Sequence, residues 1–408
     1  MAQPWLTSDD LIEAVKRKIS FPISQVTFDE TDILAFANEE MAISQVPSIL
    51  QYHEEYLVTT EEFPLEANRS TYPIPSRAIG MKLRDLFWQD GSDNLFEMTR
   101  INSDNRAEWQ GTSVNSGYSK FYVQGNDIVL TPGVGSSPSG SLVFVFFLRP
   151  NQLVENDQAA IVESFSKTIT VDYSVLVADD TLTIGDEVFT AKASGAGADE
   201  FNIGVSSIAT ATNLVSALNT NGIGTATNVA GASAVVTLLY TNRTDAFSTD
   251  NEAALAIQAT LSLVCEDDVP SNITVGSEVD FLQTKAGHKT LSYDVVVPTA
   301  AISSEIITFA DADVPSGMVV GDYICSANEC IIPQIPTDLH TSLSERTCSR
   351  ILAAMGDLEA LAASTTKVQE IDQAQGPLLD QRVEGAPQKI TGRHSTLRYG
   401  KMRTRRFW

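Results

Sequence analysis

The residue types that could do chemistry are few and scattered. The four histidines, His53, His288, His340 and His394, lie far apart in the chain, so no pair has the close spacing of a metal site. His340 falls on a predicted helix beside Asp338 and reads as a capping or interface residue, not a base. Among Cys265, Cys325, Cys330 and Cys348, only Cys325 and Cys330 are close; they flank Ser-Ala-Asn-Glu and are expected to face each other across a hairpin. Two ligands do not close a tetrahedron, so no metal is expected there. The acidic clusters Asp179-Asp180, Glu266-Asp267-Asp268 and Asp311-Ala312-Asp313 offer oxygens for Ca²⁺, but each sits at a predicted turn, where Asp is favoured for backbone reasons, and none follows the EF-hand order. G-x-S-x-G and P-loop motifs are absent, and nothing selects a carboxylate pair for glycoside hydrolysis. The expectation is a protein with no catalytic residue, no metal and no cofactor.

The remaining signal is charge. The chain of 408 residues carries a formal net charge of −25, which argues against nucleic-acid binding by the protein as a whole. Against that background, residues 389–408 (KITGRHSTLRYGKMRTRRFW) hold Lys389, Arg393, Arg398, Lys401, Arg403, Arg405 and Arg406 with no acidic residue. Tyr399, Phe407 and Trp408 lie among the cations, so this arm can bring charge and stacking surface to a partner. A solvated tail is the plainer reading of the same run. No cationic segment followed by an apolar run opens the chain and no apolar stretch reaches membrane-spanning length, so neither a signal peptide nor a membrane span is expected. Sparse, irregular cysteines read as buried thiols of a reducing compartment, and the Asn-x-Ser/Thr triplets at Asn68, Asn242 and Asn272 then mean little.

The elements behind these residues follow from periodicity. TSDDLIEAVKRKI predicts a helix over 7–19, with Thr7 or Ser8 as N-cap, Asp9 and Asp10 in the first turn and Lys16 to Lys18 in the last. A second helix is predicted from Thr27 or Asp29 to about His53, kinked or split by Pro47. From Tyr56 short alternating runs take over. KFYVQGNDIVLTP and SLVFVFFLRP read as an antiparallel pair, with a turn at Gly125-Asn126-Asp127 inside the first and a loop from Pro132 to Gly140 before the second. From Lys167 a small α+β unit begins, with a helix at about 209–218, and strands resume after Ser262. Helical spacing returns from Pro333 to Ala374, weakened at Gly356, and a short helix is predicted from Leu378 to Val383.

The predicted fold class is therefore α+β: a helical bundle formed from the N- and C-terminal helices, an antiparallel β domain between them, an inserted small α+β module and an extended C-terminal arm. The predicted segments are 1–54 and 333–388 for the bundle, 55–166 and 263–332 for the two parts of the β domain, 167–262 for the inserted module and 389–408 for the arm. Three β modules in tandem are the alternative arrangement. Leu11, Val15, Ile33, Leu339, Leu343, Ile351, Met355 and Leu358 are the apolar positions expected to hold the ring-forming helices.

The order of these segments resembles the head-to-tail adaptor (connector) proteins of tailed bacteriophages. The resemblance is carried by LTSDDLIEAVKRKISFP, then KFYVQGNDIVLTP followed by LVFVFFLRPNQLV, then IIPQIPTDLHTSLSERTCSRILAAMGDLEAL, and last QRVEGAPQKI with the basic arm, about half the chain. The unit from Thr168 to Leu261 separately looks like a small module of many phage virion proteins. The large β region departs from the smallest adaptors, which are little more than helices. The resemblance implies a non-enzymatic virion protein of the neck, assembled in the host cytoplasm as a homo-oligomeric ring of twelve copies. It further implies docking below the portal protein through the arm, contact with the next neck or tail protein (a nozzle or tail-tube component), and DNA only in transit through the channel, with no membrane partner. An electronegative channel wall would suit that transit, since each phosphate contact would retard the polymer. The alternative is a tail-associated protein that binds a host-surface glycan through 168–261, where Tyr173, Phe189, Phe201, Tyr240 and Phe247 are the available aromatics. A hydrolase of cell-wall polymers ranks third.

Overall fold

The computed structural model describes residues 7–19, 28–52, 54–102, 104, 120–131, 133–228, 233–243, 246–284, 290–299 and 302–379. The protein is α+β, with many antiparallel strands and few helices. Helix α1 (Ser8–Ile19) starts at Thr7, whose hydroxyl accepts from Asp10 N at 3.2 Å while Asp10 Oδ2 accepts from Thr7 N, a reciprocal cap of the free N–H groups. Helix α2 (Glu30–Glu40) is capped in the same way by Asp29 and Asp32. The predicted break near Pro47 takes the form of a π turn, Met41–Gln45, ahead of helix α3 (Val46–Tyr52). A widened turn is a common way to accommodate a proline that offers no N–H and crowds the preceding carbonyl.

Contacts divide the chain into two units, Met1–Gln45 with Arg149–Gln369, and Val46–Leu148 with the chain from Glu370. In the second unit, eight strands form two sheets. They are β1 (Val58–Pro64), β2 (Thr71–Pro73), β3 (Ala78–Gln89), β4 (Leu95–Glu97), β5 (Thr99–Arg100), β6 (Lys120–Gln124), β7 (Asp127–Thr131) and β8 (Ser141–Leu148). One sheet has the order β1-β8-β3-β4 and the other β2-β7-β6-β5. Tyr72, Leu86, Ile128, Leu142, Phe144 and Phe146 are buried in their common core. The predicted turn at Gly125 joins β6 and β7, but β8 does not pair with that hairpin. It lies between β1 and β3 instead, with Phe144 opposite Glu61 and Leu86. Alternation specifies which face of a strand is buried and leaves its partner open.

The first unit contains β9 (Gln152–Leu153), β10 (Ala160–Val171), β11 (Thr181–Ile184), β12 (Glu187–Lys192), β13 (Glu200–Asn202), α4 (Ser207–Asn221), β14 (Thr225–Asn228), β15 (Val235–Tyr240), β16 (Phe247–Thr249), β17 (Leu255–Ile257), β18 (Thr260–Cys265), β19 (Glu278–Leu282), β20 (Thr290–Val296), β21 (Ile302–Ser303), β22 (Ile306–Ala310), β23 (Tyr323–Ser326), β24 (Glu329–Cys330), α5 (His340–Met355) and, as far as Gln369, α6 (Leu358–Leu379). Its main sheet has the order β20-β19-β23-β10-β18-β22-β21, and β10 also pairs with β15 and β17. A smaller sheet, β13-β12-β11-β16, and α4 share one core with it, including Phe165, Phe189, Phe201, Leu214, Phe281 and Phe309. The segment boundaries expected at 166/167 and 262/263 fall inside β10 and β18. Among the described residues, no strand of 58–148 pairs with a strand beyond residue 262; those later strands pair with β10, with β18, with β9 or with one another.

Gly356 ends a helix where the sequence reading had it weakening one. With φ of 75° it donates to Ala353 O, and Asp357 N reaches Leu352 O at 3.2 Å, which satisfies the last carbonyls of α5. Asp357 then caps α6 through Ala360 N at 3.0 Å. Of the short helix predicted at 378–383, α6 covers 378–379 and the rest lies outside the described residues.

Gly140 shows the tightest backbone approach in the second unit. It has φ of 87°, and a Cβ placed on it would meet Gln89 O at 1.9 Å. Gly140→Ala is therefore expected to lower stability by about 2–4 kcal/mol, from combined strain and steric clash. Urea unfolding followed by tryptophan fluorescence checks this, since Trp88 lies next to Gln89.

Candidate assembly interface

The helices of the two chain ends meet in the first unit, where α1 and α2 both pack on α5 and on each other. Leu11, Val15, Ile33, Leu339, Leu343 and Ile351 are each 0% exposed, so these six are used within the chain. Met355 and Leu358 are the two of the predicted set that face solvent, at 44% and 77% exposure. Helix α6 is exposed over most of its described length.

Apolar packing is threaded with polar pairs that sequence reasoning missed. Glu345 on α5 is nearly buried and accepts from Lys18 of α1 at 2.8 Å and from Lys367 of α6 at 2.6 Å. Glu40 of α2 is buried and bonds the Arg350 guanidinium, which also reaches Glu39 at 3.0 Å; Arg346 lies 3.8 Å from Glu40. Gln45 donates to Ser342 Oγ at 3.0 Å, and the Cys348 thiol contacts Val15 O at 3.9 Å. The available signal was the pair Arg346 and Arg350, one turn apart on a helix with a strong apolar stripe.

Electrostatics follow burial. Burial pulls the Glu345 carboxyl up, but hydrogen bonds and charge from Lys18 and Lys367 outweigh it and hold the group below its usual 4.5. His340, 2% exposed, donates from Nε2 to Ile335 O over 3.2 Å, and burial pushes its imidazole below the ordinary 6.5. It is a buried helix-start residue. Burial pushes the Cys348 and Cys265 thiols up to about 12, and Cys325 and Cys330, also buried and free, well above the normal thiol range. Such thiols are poor nucleophiles and poor metal ligands.

Among the described residues, no group of three His, Cys, Asp or Glu side chains could hold a metal ion. Asp311 is bound to Lys167 and Arg243; Asp179 pairs with Lys192 at 2.6 Å; Asp180 accepts from Val177 N and Asn251 Nδ2. Of the five aromatics in 168–261, Phe189, Phe201 and Tyr240 are buried in the core, Phe247 is half-buried and Tyr173 is exposed. The arm residues Lys389, Arg393, Arg398, Tyr399, Lys401, Arg403, Arg405, Arg406, Phe407 and Trp408 lie outside the described residues.

Residues 6–181 match the family described as SU10 adaptor protein. The matched span runs from α1 through the two sheets of the second unit to the start of β11, less than half of the chain. No curated protein matches the chain. The match points to a phage adaptor and supports a structural, non-enzymatic phage protein and a virion component. No described helix is long and apolar enough to cross a membrane.

Acid is expected to loosen this helix group in two steps. The unfolded chain takes up a proton at His340 below about 6.5 while the folded chain resists, so stability falls as pH drops below that value. The Glu345 contribution is complete above about 4.5 and is lost as pH falls through its lowered folded value. Thermal unfolding across pH 3–8 reads both steps (roughly the range spanning the two groups). Glu345→Gln should flatten the lower step alone, and Lys367→Ala should matter less than Lys18→Ala, because Lys367 is 57% exposed.

Proposed function

We propose that the chain is a head-to-tail adaptor of a tailed bacteriophage, with no chemistry of its own. The family match over 6–181 is the observation that carries this reading. In the proposed assembly the helices of the two chain ends act as one bundle, and copies of it, twelve by the adaptor resemblance, build a ring below the portal protein. Six of the eight predicted ring residues are already used inside the chain, so of that set Met355 and Leu358, with the exposed face of α6, offer helical surface to a neighbouring copy.

The arm, Lys389 to Trp408, is proposed to insert into the portal. Seven cations can pair with carboxylates there, and Tyr399, Phe407 and Trp408 can fill an apolar groove, with the segment ordering as it binds. Arg403 to Trp408 should concentrate the contacts. The body's net negative charge suits a conduit that DNA crosses without adhering. The far side of the ring would meet the nozzle or tail-tube protein.

Deletion of 389–408 is expected to leave the helix group folded, with unchanged circular dichroism and melting, and to abolish complex formation with the portal. Native mass measurement of the protein, alone and with portal, reads ring number and docking together. Full portal affinity in the truncated protein would show that the arm is not the anchor.

A further inference from the structure

Strand β10 contains a residue that packing alone does not call for. Phe165, Ile169 and Val171 are buried at 0%, 0% and 1% exposure, and Lys167 lies between them at the same parity, 3% exposed. An aliphatic side chain would fill that position without the cost of burying an ammonium group, and a buried ion pair is seldom worth more than apolar packing. Lys167 bonds Asp311, whose Oδ1 also lies 2.7 Å from Arg243 Nη2 as an ion pair. Arg243 Nη2 donates to Asp311 O at 2.9 Å and Val314 O at 3.2 Å, so Asp311 is fixed from two sides; its side chain stays 39% exposed although Oδ1 is buried.

The strand facing this point is interrupted. Ile257 lies opposite Ile169 and Ser262 opposite Ser166, so two residues of β10, Lys167 and Thr168, face four, 258–261. Such a bulge re-aims side chains and opens the sheet locally. Gln258 N bonds Thr168 O at 3.0 Å, the Thr168 hydroxyl bonds the Gln258 side-chain oxygen, and Asp311 N bonds Ala259 O at 2.9 Å. Beside the bulge lies a groove of about 440 Å³, lined by Lys167, Phe247, Ser248, Glu252, Gln258 and Asp311 among others. Phe247 is half-buried and backed by Tyr240 at 5.2 Å between ring centroids, which is backed in turn by Phe165 at 5.8 Å.

We propose that this groove is a binding site for an uncharged saccharide unit. Its volume falls in the range of small-ligand sites. Phe247 supplies one ring face for the C–H surface of a sugar, held rigid by the aromatic row behind it. Glu252, exposed at the groove, accepts from hydroxyl groups and the exposed Gln258 amide donates to them, while the Lys167–Asp311 pair forms the polar floor; a charged acceptor makes such bonds stronger than a neutral one. The fixed charges balance, Lys167 and Arg243 against Asp311 and Glu252, which disfavours a phosphate or carboxylate ligand. The overall negative charge of the chain adds to that preference. The proposal does not depend on the adaptor reading, because the groove lies at residues beyond the matched span apart from Lys167.

The test titrates the full chain with free D-glucose, D-galactose and N-acetyl-D-glucosamine, each followed by saturation-transfer NMR, with inorganic phosphate as the anionic comparison. At least one sugar is expected to bind in the millimolar range and phosphate not to. Glu252→Gln and Gln258→Ala, both outside the core, should weaken that sugar at least fivefold with unchanged melting, and Phe247→Leu should abolish its ring-stacked signal. The proposal is overturned if none of the three sugars binds, if phosphate binds in their place, or if the three variants leave sugar binding unchanged.

Discussion

The buried carboxylate of Asp280 is the joint on which the first unit depends. It accepts from Asn151 Nδ2 at 2.8 Å, Asn328 N at 3.0 Å and Asp294 N at 3.1 Å, and so ties the chain returning from β8 to β19, β20 and the turn before β24. Asn151 N in turn bonds Gln334 Oε1 at 2.8 Å, and Gln334 Nε2 bonds Thr290 Oγ1 at 2.9 Å, just before the chain enters α5. A carboxylate at 0% exposure is tolerable only when such donors replace its water. Because the donors come from segments far apart in sequence, the same requirement fixes where those segments lie relative to one another.

The helix group is anchored to that joint by further polar bonds. Asn38 of α2 bonds Leu153 N at 2.7 Å and Leu153 O at 3.0 Å, completing the hydrogen bonding of the short parallel pair β9–β24. Ser8 N donates to Ile331 O at 2.8 Å, and the Ser8 hydroxyl donates to Asn156 at 2.8 Å. The apolar residues Leu11, Val15, Ile33 and Ile351 supply the general attraction between α1, α2 and α5, and Glu40, Glu345 and their cations select one alignment of the helices.

Much of the local structure was legible. Capping chemistry narrowed the helix starts to Thr7 or Ser8 and to Thr27 or Asp29, of which the fold uses Thr7 and Asp29; Pro47 marked a break, and of the turn read at Gly125-Asn126-Asp127 the fold uses Gly125 and Asn126, with Asp127 opening β7. Gly356 was read with the wrong sign, since a glycine with φ of 75° terminates a helix, and sequence spacing alone does not separate that case from a weakened interior. Helical periodicity marked Leu11, Val15, Ile33 and Ile351 as apolar-face positions, which the fold buries, whereas the burial of Glu40, Glu345 and Lys167 was not legible, because a charged residue on a periodic segment is read as solvent-facing.

The sequence by itself determined element type, helix caps, the absence of a recognisable catalytic motif and the contrast between an acidic body and a basic arm. Those are properties of neighbouring residues and of summed charge, which need no fold to be read. Tertiary structure decided that β8 lies between β1 and β3, that β10 and β18 run through the expected segment boundaries, and that Asp311 meets Lys167 and Arg243 beside a groove. A strand's alternation states which side is buried, and the identity of its partner depends on loop closure and on side chains hundreds of positions away.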